Sequence, residues 1–150
     1  MKGIDSIHIG LNDLSLEYGM KFMFELLTDG TVERLCMKCK EKGIPYGFGG
    51  IASLGKGIIP AEMIIKEHYR LGSTCAILSR SFCNADKIGH LGVISSTFVN
   101  GIREIRNFES ECEIHAGYFN NNQNALKKAI GEISYQRKKL VKEVDNVTRL

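Results

Sequence analysis

The residue best suited to chemistry is Asp13. It follows an apolar segment at residues 4–9, whose pattern predicts a strand of about six residues that runs into a loop. In parallel α/β folds, ligands bind beyond the carboxyl ends of the strands, where a carboxylate can hold a hard cation such as Mg²⁺. The same position also suits the N-cap of a helix that starts at residue 14. Position alone leaves both interpretations of Asp13 open.

A glycine-rich segment at residues 49–57 is the second candidate. It matches the phosphate-binding loop pattern through Lys56, and it lies between a predicted strand and a predicted helix, as that motif requires. Gly57 stands where the motif needs a Ser or Thr to hold Mg²⁺, so nucleotide hydrolysis is disfavoured. Either the backbone N–H groups bind a smaller anion, or the segment is a flexible loop. The candidate anion-binding residues are Gly49, Gly50, Gly55, Lys56, Gly57 and Arg80.

The cysteines and the histidine-containing helix give weaker evidence for a reactive or metal-binding site. The five cysteines are scattered and odd in number, which favours reduced thiols over disulfides. Cys36 and Cys39 have the spacing of zinc ligands, but no second pair accompanies them and both fall inside a predicted helix, so we interpret them as buried thiols. The helical pattern of residues 60–71 assigns Glu67, His68 and Arg70 to the surface.

Alternating strands and helices must position these residues. Apolar spacing predicts strands at residues 4–9, 44–50 and 74–78, the last covered on both faces. It also predicts helices at residues 17–28, 32–42, 60–71, 94–113 and 123–149. Thr31 is the expected cap of the second helix, Gly43 its left-handed end, and the asparagines at 120–122 the break before the last helix. The order is βαβαβ, with parallel strands and right-handed crossovers.

Composition limits the class of protein. The chain has 150 residues, 43% hydrophobic and 25% charged, which is typical of one folded domain. Seven Lys and Arg against three Asp and Glu in residues 121–150 make the C-terminal segment basic, but no aromatic residues are interleaved, which favours a solvated helix face over a nucleic-acid partner. The first residues lack the features of a signal peptide and apolar runs are short, so we expect a cytoplasmic protein without a membrane partner.

Residues 7–14 carry a family resemblance. Gly10-Leu11-Asn12-Asp13-Leu14 resembles the glycine-x-x-aspartate-leucine segment of the HpcH/HpaI aldolase and citrate lyase β-subunit superfamily. Residues 44–53 and 73–84 are similar to the next two strands of that family's (β/α)₈ TIM barrel. The resemblance implies that residues 1–113 are the C-terminal portion of such a barrel, with three of its strands, and that residues 114–150 form an amphipathic basic helix.

The family's chemistry sets the functional expectation. Its members are carbon–carbon lyases that act on 2-keto acids or acyl-CoA thioesters, generally with Mg²⁺ or Mn²⁺ held by a glutamate and an aspartate. The resemblance implies that Asp13 is the metal-binding aspartate and that the backbone of Leu11, Asn12 and Asp13 lies beside the substrate carboxylate. The other catalytic groups belong to strands this sequence lacks, so the chain alone should be inactive.

Two further expectations follow. The alternative function is non-enzymatic: an α/β module that binds an anion at residues 49–57 or binds a partner protein. In either case three strands leave a sheet edge unpaired, and the apolar residues of the predicted 17–28 helix exceed what a narrow sheet can cover. We therefore expect a homo-oligomer or a complementing chain.

Overall fold

A three-stranded parallel sheet lies at the centre of the structure, a computed structural model that describes residues 3–114 and 117–147. The elements, in chain order, are β1 (Ile7–Ile9), α1 (Leu11–Glu17), a 3₁₀ helix (Met23–Leu27), α2 (Thr31–Glu41), β2 (Tyr46–Ile51), α3 (Ala61–Leu71), β3 (Cys75–Leu78), α4 (Ala85–Ile88), α5 (Leu91–Ile114) and α6 (Tyr118–Val147). The last residues of the predicted 123–149 helix lie outside the described range. The predicted α/β class and βαβαβ order are confirmed.

The strands pair in the order β1-β2-β3. Because both pairs are parallel, the carboxyl ends of all three strands lie at the same end of the sheet, here called its carboxyl edge. Ile9 pairs with Phe48, and Gly47 pairs with Cys75. The register shifts between Gly47 and Gly50. Gly49 has a φ of +56°, and a Cβ there would lie 2.7 Å from a methyl carbon of Leu11. Only glycine fits this irregularity, which turns the end of β2 toward the loop that follows.

The prediction of a helix at residues 17–28 is wrong. α1 ends at Glu17, the backbone is extended at Phe22 with a φ of −145°, and only a 3₁₀ helix follows. The apolar residues are nevertheless buried: Phe22, Phe24, Leu26 and Leu27 are each at most 8% exposed. Because this short segment is packed inside the chain, the apolar surface expected to drive assembly is already covered.

The predicted helix ends are confirmed in part. Gly43 and Gly72 follow α2 and α3 with positive φ, as the C-terminal pattern predicts. Thr31 is not the cap of α2, because Gly30 holds that position and the carboxylate of Asp29 accepts the N–H of Thr31 at 2.8 Å. The asparagines at 120–122 do not break a helix, since α6 runs through them.

Strand β3 also differs from its prediction. Cys75, Ala76 and Ile77 are exposed, and Leu78 is only partly buried, so the strand is not covered on both faces. Within the described residues β3 pairs only with β2 and forms an edge of the sheet. The apolar sequence of β3 therefore did not predict how far the strand is buried within the described residues.

One hydrophobic core joins the elements. It includes Val32 of α2, Phe48 of β2, and Leu126 and Ile130 of α6. Asn122 attaches α6 to α3 by donating from its side-chain amide to the carbonyl of Met63 at 3.0 Å. Of the described helices, none is both long and apolar enough to cross a membrane.

Candidate functional site

A cavity of about 370 Å³ opens at the carboxyl edge of the sheet. Each strand contributes to it through the residues at or just beyond its end: Asn12 after β1, Gly50 in β2, and Ser79 and Ser81 after β3. Most of the other lining residues are apolar, and the larger of these are Leu16, Met20, Phe22, Met23, Phe24, Ile58, Ile59 and Ile64. The cavity therefore combines a polar side at the strand ends with a large apolar side.

Two cationic residues line this cavity, Lys21 and Arg137. Arg137 comes from α6, and its Nη1 donates to the carbonyl oxygen of Lys21 at 3.2 Å. Its guanidinium carbon lies 4.6 Å from the centroid of the Phe22 ring, a cation–π contact that holds the planar group against the apolar wall. Among the described residues that line the cavity, none is Asp or Glu. The electrostatics of the site therefore favour an anion.

The glycine-rich segment contributes only in part. Gly50 and Gly57 line the cavity, whereas Gly55 donates its N–H to Oε1 of Glu62 at 2.6 Å. Glu62 lies in the first turn of α3, so the chain's own carboxylate occupies the anion position on Gly55. The carbonyl of Gly49 meets Nε2 of His8 at 3.0 Å. Lys56 is exposed, and so is Arg80, which stands between two serines of the cavity wall.

Asp13 is exposed in the first turn of α1. The helix begins at Leu11 with Gly10 as its N-cap, so the interpretation of Asp13 as a cap for residue 14 is wrong. A Cβ on Gly10 would lie 3.0 Å from Oδ2 of Asp13, which shows that the carboxylate turns back over the positive end of the helix, a favourable position for an anion. Leu11 is buried, at 1% exposure, while Asn12 faces the cavity.

The described residues do not assemble a complete metal site. Within residues 3–114 and 117–147, no group of three His, Cys, Asp or Glu side chains is placed to hold an ion. Asp13 therefore supplies one carboxylate, and any cation there would take the rest of its ligands from water or from another chain.

A second cavity, of about 610 Å³, lies between α3, α5 and β3. His68 lines it and is buried, together with Glu67, so their assignment to the surface is wrong. The His68 ring stacks on Phe48 with centroids 3.8 Å apart, and its Nδ1 lies 2.8 Å from Oγ of Ser73. Burial, with a smaller effect from His8, lowers the pKa of His68 to about 4. The ring is therefore neutral near pH 7.

The thiols of α2 match their sequence interpretation. Cys36 and Cys39 are buried and not in disulfides. Burial, reinforced by the neighbouring Cys39, raises the pKa of Cys36 to about 12. Since the thiolate is the reactive form, Cys36 is a packing residue rather than a nucleophile.

No protein-family model, curated protein or solved structure matches this chain. Sequence reasoning identified Asn12, Gly50 and Gly57, which line the cavity, but missed Lys21, Ser81 and Arg137. Arg137 is one of many basic residues in the C-terminal segment, and nothing local distinguishes it from the others.

Proposed function

We propose that this protein binds a small anion that carries an apolar group, such as a carboxylate or a phosphate ester, in the cavity at the carboxyl edge of the sheet. The observation that carries the proposal is the pairing of two cationic residues with an apolar wall in a cavity whose described lining contains no acid. Its volume of about 370 Å³ lies in the range of small-molecule sites.

Arg137 is the expected anchor for the anion. A guanidinium has five N–H donors arranged as a fork that matches a carboxylate or phosphate, and the bond to Lys21 uses one of them. The Phe22 ring and the Lys21 carbonyl hold the group in place before a ligand arrives. The hydroxyls of Ser79 and Ser81 supply further donors at the strand ends.

Calorimetric titration with a panel of aliphatic carboxylates and phosphate monoesters tests this proposal. We expect binding that strengthens with the length of the apolar group, and at least about tenfold weaker binding in Arg137→Gln, because a charge-assisted hydrogen bond contributes about 1.5–3 kcal/mol. Arg103→Gln, which changes an exposed arginine of α5, is the matched control. Failure of every ligand to bind, or equal affinity in wild type and Arg137→Gln, would overturn the proposal.

A second candidate is a part of a metal-dependent carbon–carbon lyase of the HpcH/HpaI type, built as a portion of a TIM barrel. The observation that favours it is the exposed carboxylate of Asp13 just beyond the carboxyl end of β1 in a parallel α/β sheet. In this proposal Asp13 holds Mg²⁺ or Mn²⁺, a 2-keto acid or acyl-CoA thioester is the substrate, and a complementing chain brings the missing ligands.

Titration with Mg²⁺ and Mn²⁺ separates the two candidates. The lyase proposal expects weak binding that is lost in Asp13→Asn and kept in Asp86→Asn, a change at an exposed carboxylate in the first turn of α4. Identical isotherms for wild type and Asp13→Asn would remove Asp13 from the site. Anion binding that depends on Arg137 without metal would support the first candidate alone.

A further inference from the structure

The lining of the cavity at the carboxyl edge divides into a mouth and an inner wall. Asn12, Leu16, Lys21, Ile58 and Ser81 line the cavity and are exposed at the protein surface, so they form its mouth. The inner wall consists of buried residues, each at most 8% exposed: Ser15, Phe22, Phe24, Ala52, Ile59, Ala61 and Ile64. A ligand in this cavity therefore meets solvent at the mouth and the hydrophobic core at the inner wall.

Both cations of the site lie toward the mouth. Lys21 is exposed and Arg137 is partly exposed, and the guanidinium carbon of Arg137 lies 4.6 Å from the centroid of the Phe22 ring. The Phe22 ring in turn meets Phe24 edge to face, with centroids 5.3 Å apart. The apolar surface therefore continues from the cation into the inner wall.

The inner wall offers little to a second charge. Among its described residues only Ser15 has a polar side chain, and the hydroxyl of Ser15 already donates to the carbonyl of Asn12 at 2.7 Å. A carboxylate at this depth would lose its water without gaining a side-chain donor, which is costly. The anionic end of a ligand therefore belongs at the mouth.

One face of α3 closes the inner wall. Ala61 and Ile64 are three residues apart, which places them on the same face of the helix, and both line this cavity. The next residue, Ile65, is buried to a similar extent but lines the second cavity instead. The side chains of Ala61 and Ile64 therefore limit how far a ligand extends inward, whereas the side chain of Ile65 does not.

Given the proposed function, on which this inference rests, we propose that the ligand is an amphiphile with a single terminal anion and an uncharged aliphatic tail. The anion binds at the mouth beside Arg137, and the tail lies against the inner wall. Ala61 and Ile64 set the longest tail that fits. Each methylene buried against the wall strengthens binding by about fourfold, until the tail reaches α3.

Calorimetric titration with straight-chain carboxylates from butanoate to dodecanoate tests the length limit. We expect wild-type affinity to rise about fourfold per methylene and then to stop rising at a defined length. Ile64→Ala should move that limit to longer chains, because it removes side-chain atoms from the inner wall, and Ala61→Val should move it to shorter ones.

Ile65→Ala is the matched control for Ile64→Ala, since it makes the same truncation at a neighbouring buried position of α3 and should keep the wild-type limit. Circular dichroism establishes that each variant is folded, and the wild-type series stands without any variant. Affinity that ignores chain length or still rises at dodecanoate, or equal limits in Ile64→Ala and Ile65→Ala, would overturn the proposal.

The direction of binding is tested on the wild type alone. Octanedioate has the tail of octanoate with a second carboxylate at its far end, so we expect it to bind at least about tenfold more weakly. If no carboxylate binds, or if Arg137→Gln binds as wild type does, the proposed function fails and this inference fails with it. Binding that depends on Arg137 but is equal for octanoate and octanedioate rejects the inward tail and leaves the proposed function standing.

Discussion

At the scale of single residues, a buried carboxylate determines how α2 and α3 are joined. The Glu67 side chain is fully buried, and Arg70 binds it through Nε and Nη2 at distances of 2.7–3.1 Å. The same guanidinium reaches Glu33 of α2 at 3.0 Å. The two acidic partners raise the pKa of Arg70 above its ordinary value, so the charge persists at every accessible pH.

We predict that Arg70→Met destabilises the fold by roughly 3–5 kcal/mol, because it leaves the Glu67 carboxylate buried without its cation. Arg106→Met provides the comparison. Arg106 also forms an i,i+3 pair, with Glu109 and in the opposite order, but it is 73% exposed, and its loss should cost less than about 1 kcal/mol. Urea unfolding of both variants measures the difference, and equal costs would contradict this account of Glu67.

His68 should make stability depend on pH. Its pKa is about 4 in the folded chain against an ordinary value of 6.5, so the unfolded chain binds the proton more tightly. Stability is therefore full above about pH 6.5 and falls as the pH drops toward 4, by roughly 3 kcal/mol. Urea unfolding at several pH values should show this loss, and His68→Phe should flatten it. An exposed-site control, His90→Gln, should behave as wild type. A slope unchanged in His68→Phe would assign the effect to other groups.

At the scale of elements, two glycines are expected to respond in opposite directions to alanine. A Cβ on Gly47 would overlap the carbonyl oxygen of Cys75 and lie 2.6 Å from its Sγ, so β2 and β3 can pair at this register only with glycine. A Cβ on Gly131, inside α6, meets nothing within 4 Å, and alanine favours a helix by up to about 1 kcal/mol over glycine.

Thermal unfolding measures both changes. Gly47→Ala should lower the melting temperature markedly, because the contact is with backbone that cannot move without separating the strands. Gly131→Ala should raise it by a few degrees. If Gly47→Ala melts at the same temperature as wild type, β2 and β3 do not approach each other as closely at Gly47 as described.

At the scale of the whole molecule, α6 completes the core and supplies Arg137 to the candidate site. Leu126 is fully buried and Ile130 is 2% exposed, and both pack in the same cluster as residues of α2 and β2. Since the same helix carries Arg137, the position of the cation depends on the packing of the core. Binding and folding should therefore be linked through α6.

Leu126→Ala should destabilise the entire chain by about 2–5 kcal/mol, since it removes buried methyl groups and leaves a cavity. Leu140→Ala, at an exposed position of the same helix, should change stability by less than about 0.5 kcal/mol. Unfolding followed by circular dichroism should show a single transition for both variants. Two transitions in Leu126→Ala, with the first confined to helix content, would mean that α6 unfolds independently of the sheet.

Local sequence patterns predicted the βαβαβ order of the sheet and its crossovers. Strand and helix periodicity, together with the helix-end signal of Gly43, predicted α2, β2, α3 and β3 to within a few residues, because these signals depend on neighbours in the chain. The buried thiols of α2 followed from the same helical spacing. At the candidate site, the local glycine pattern pointed to Gly50 and Gly57, and the family resemblance pointed to Asn12.

Contacts between groups far apart in the chain depend on the tertiary structure. Arg137 reaches Lys21 across 116 residues, and no local pattern encodes that contact. Glu67 is buried because Arg70, one turn away on α3, neutralises it while the same guanidinium binds Glu33 of α2, and this overrides the usual exposure of a charged residue. Phe22 and Phe24 are buried without a helix, and the apolar β3 remains exposed. In each case periodicity specifies a local shape, whereas burial and charge pairing depend on contacts between elements far apart in the chain.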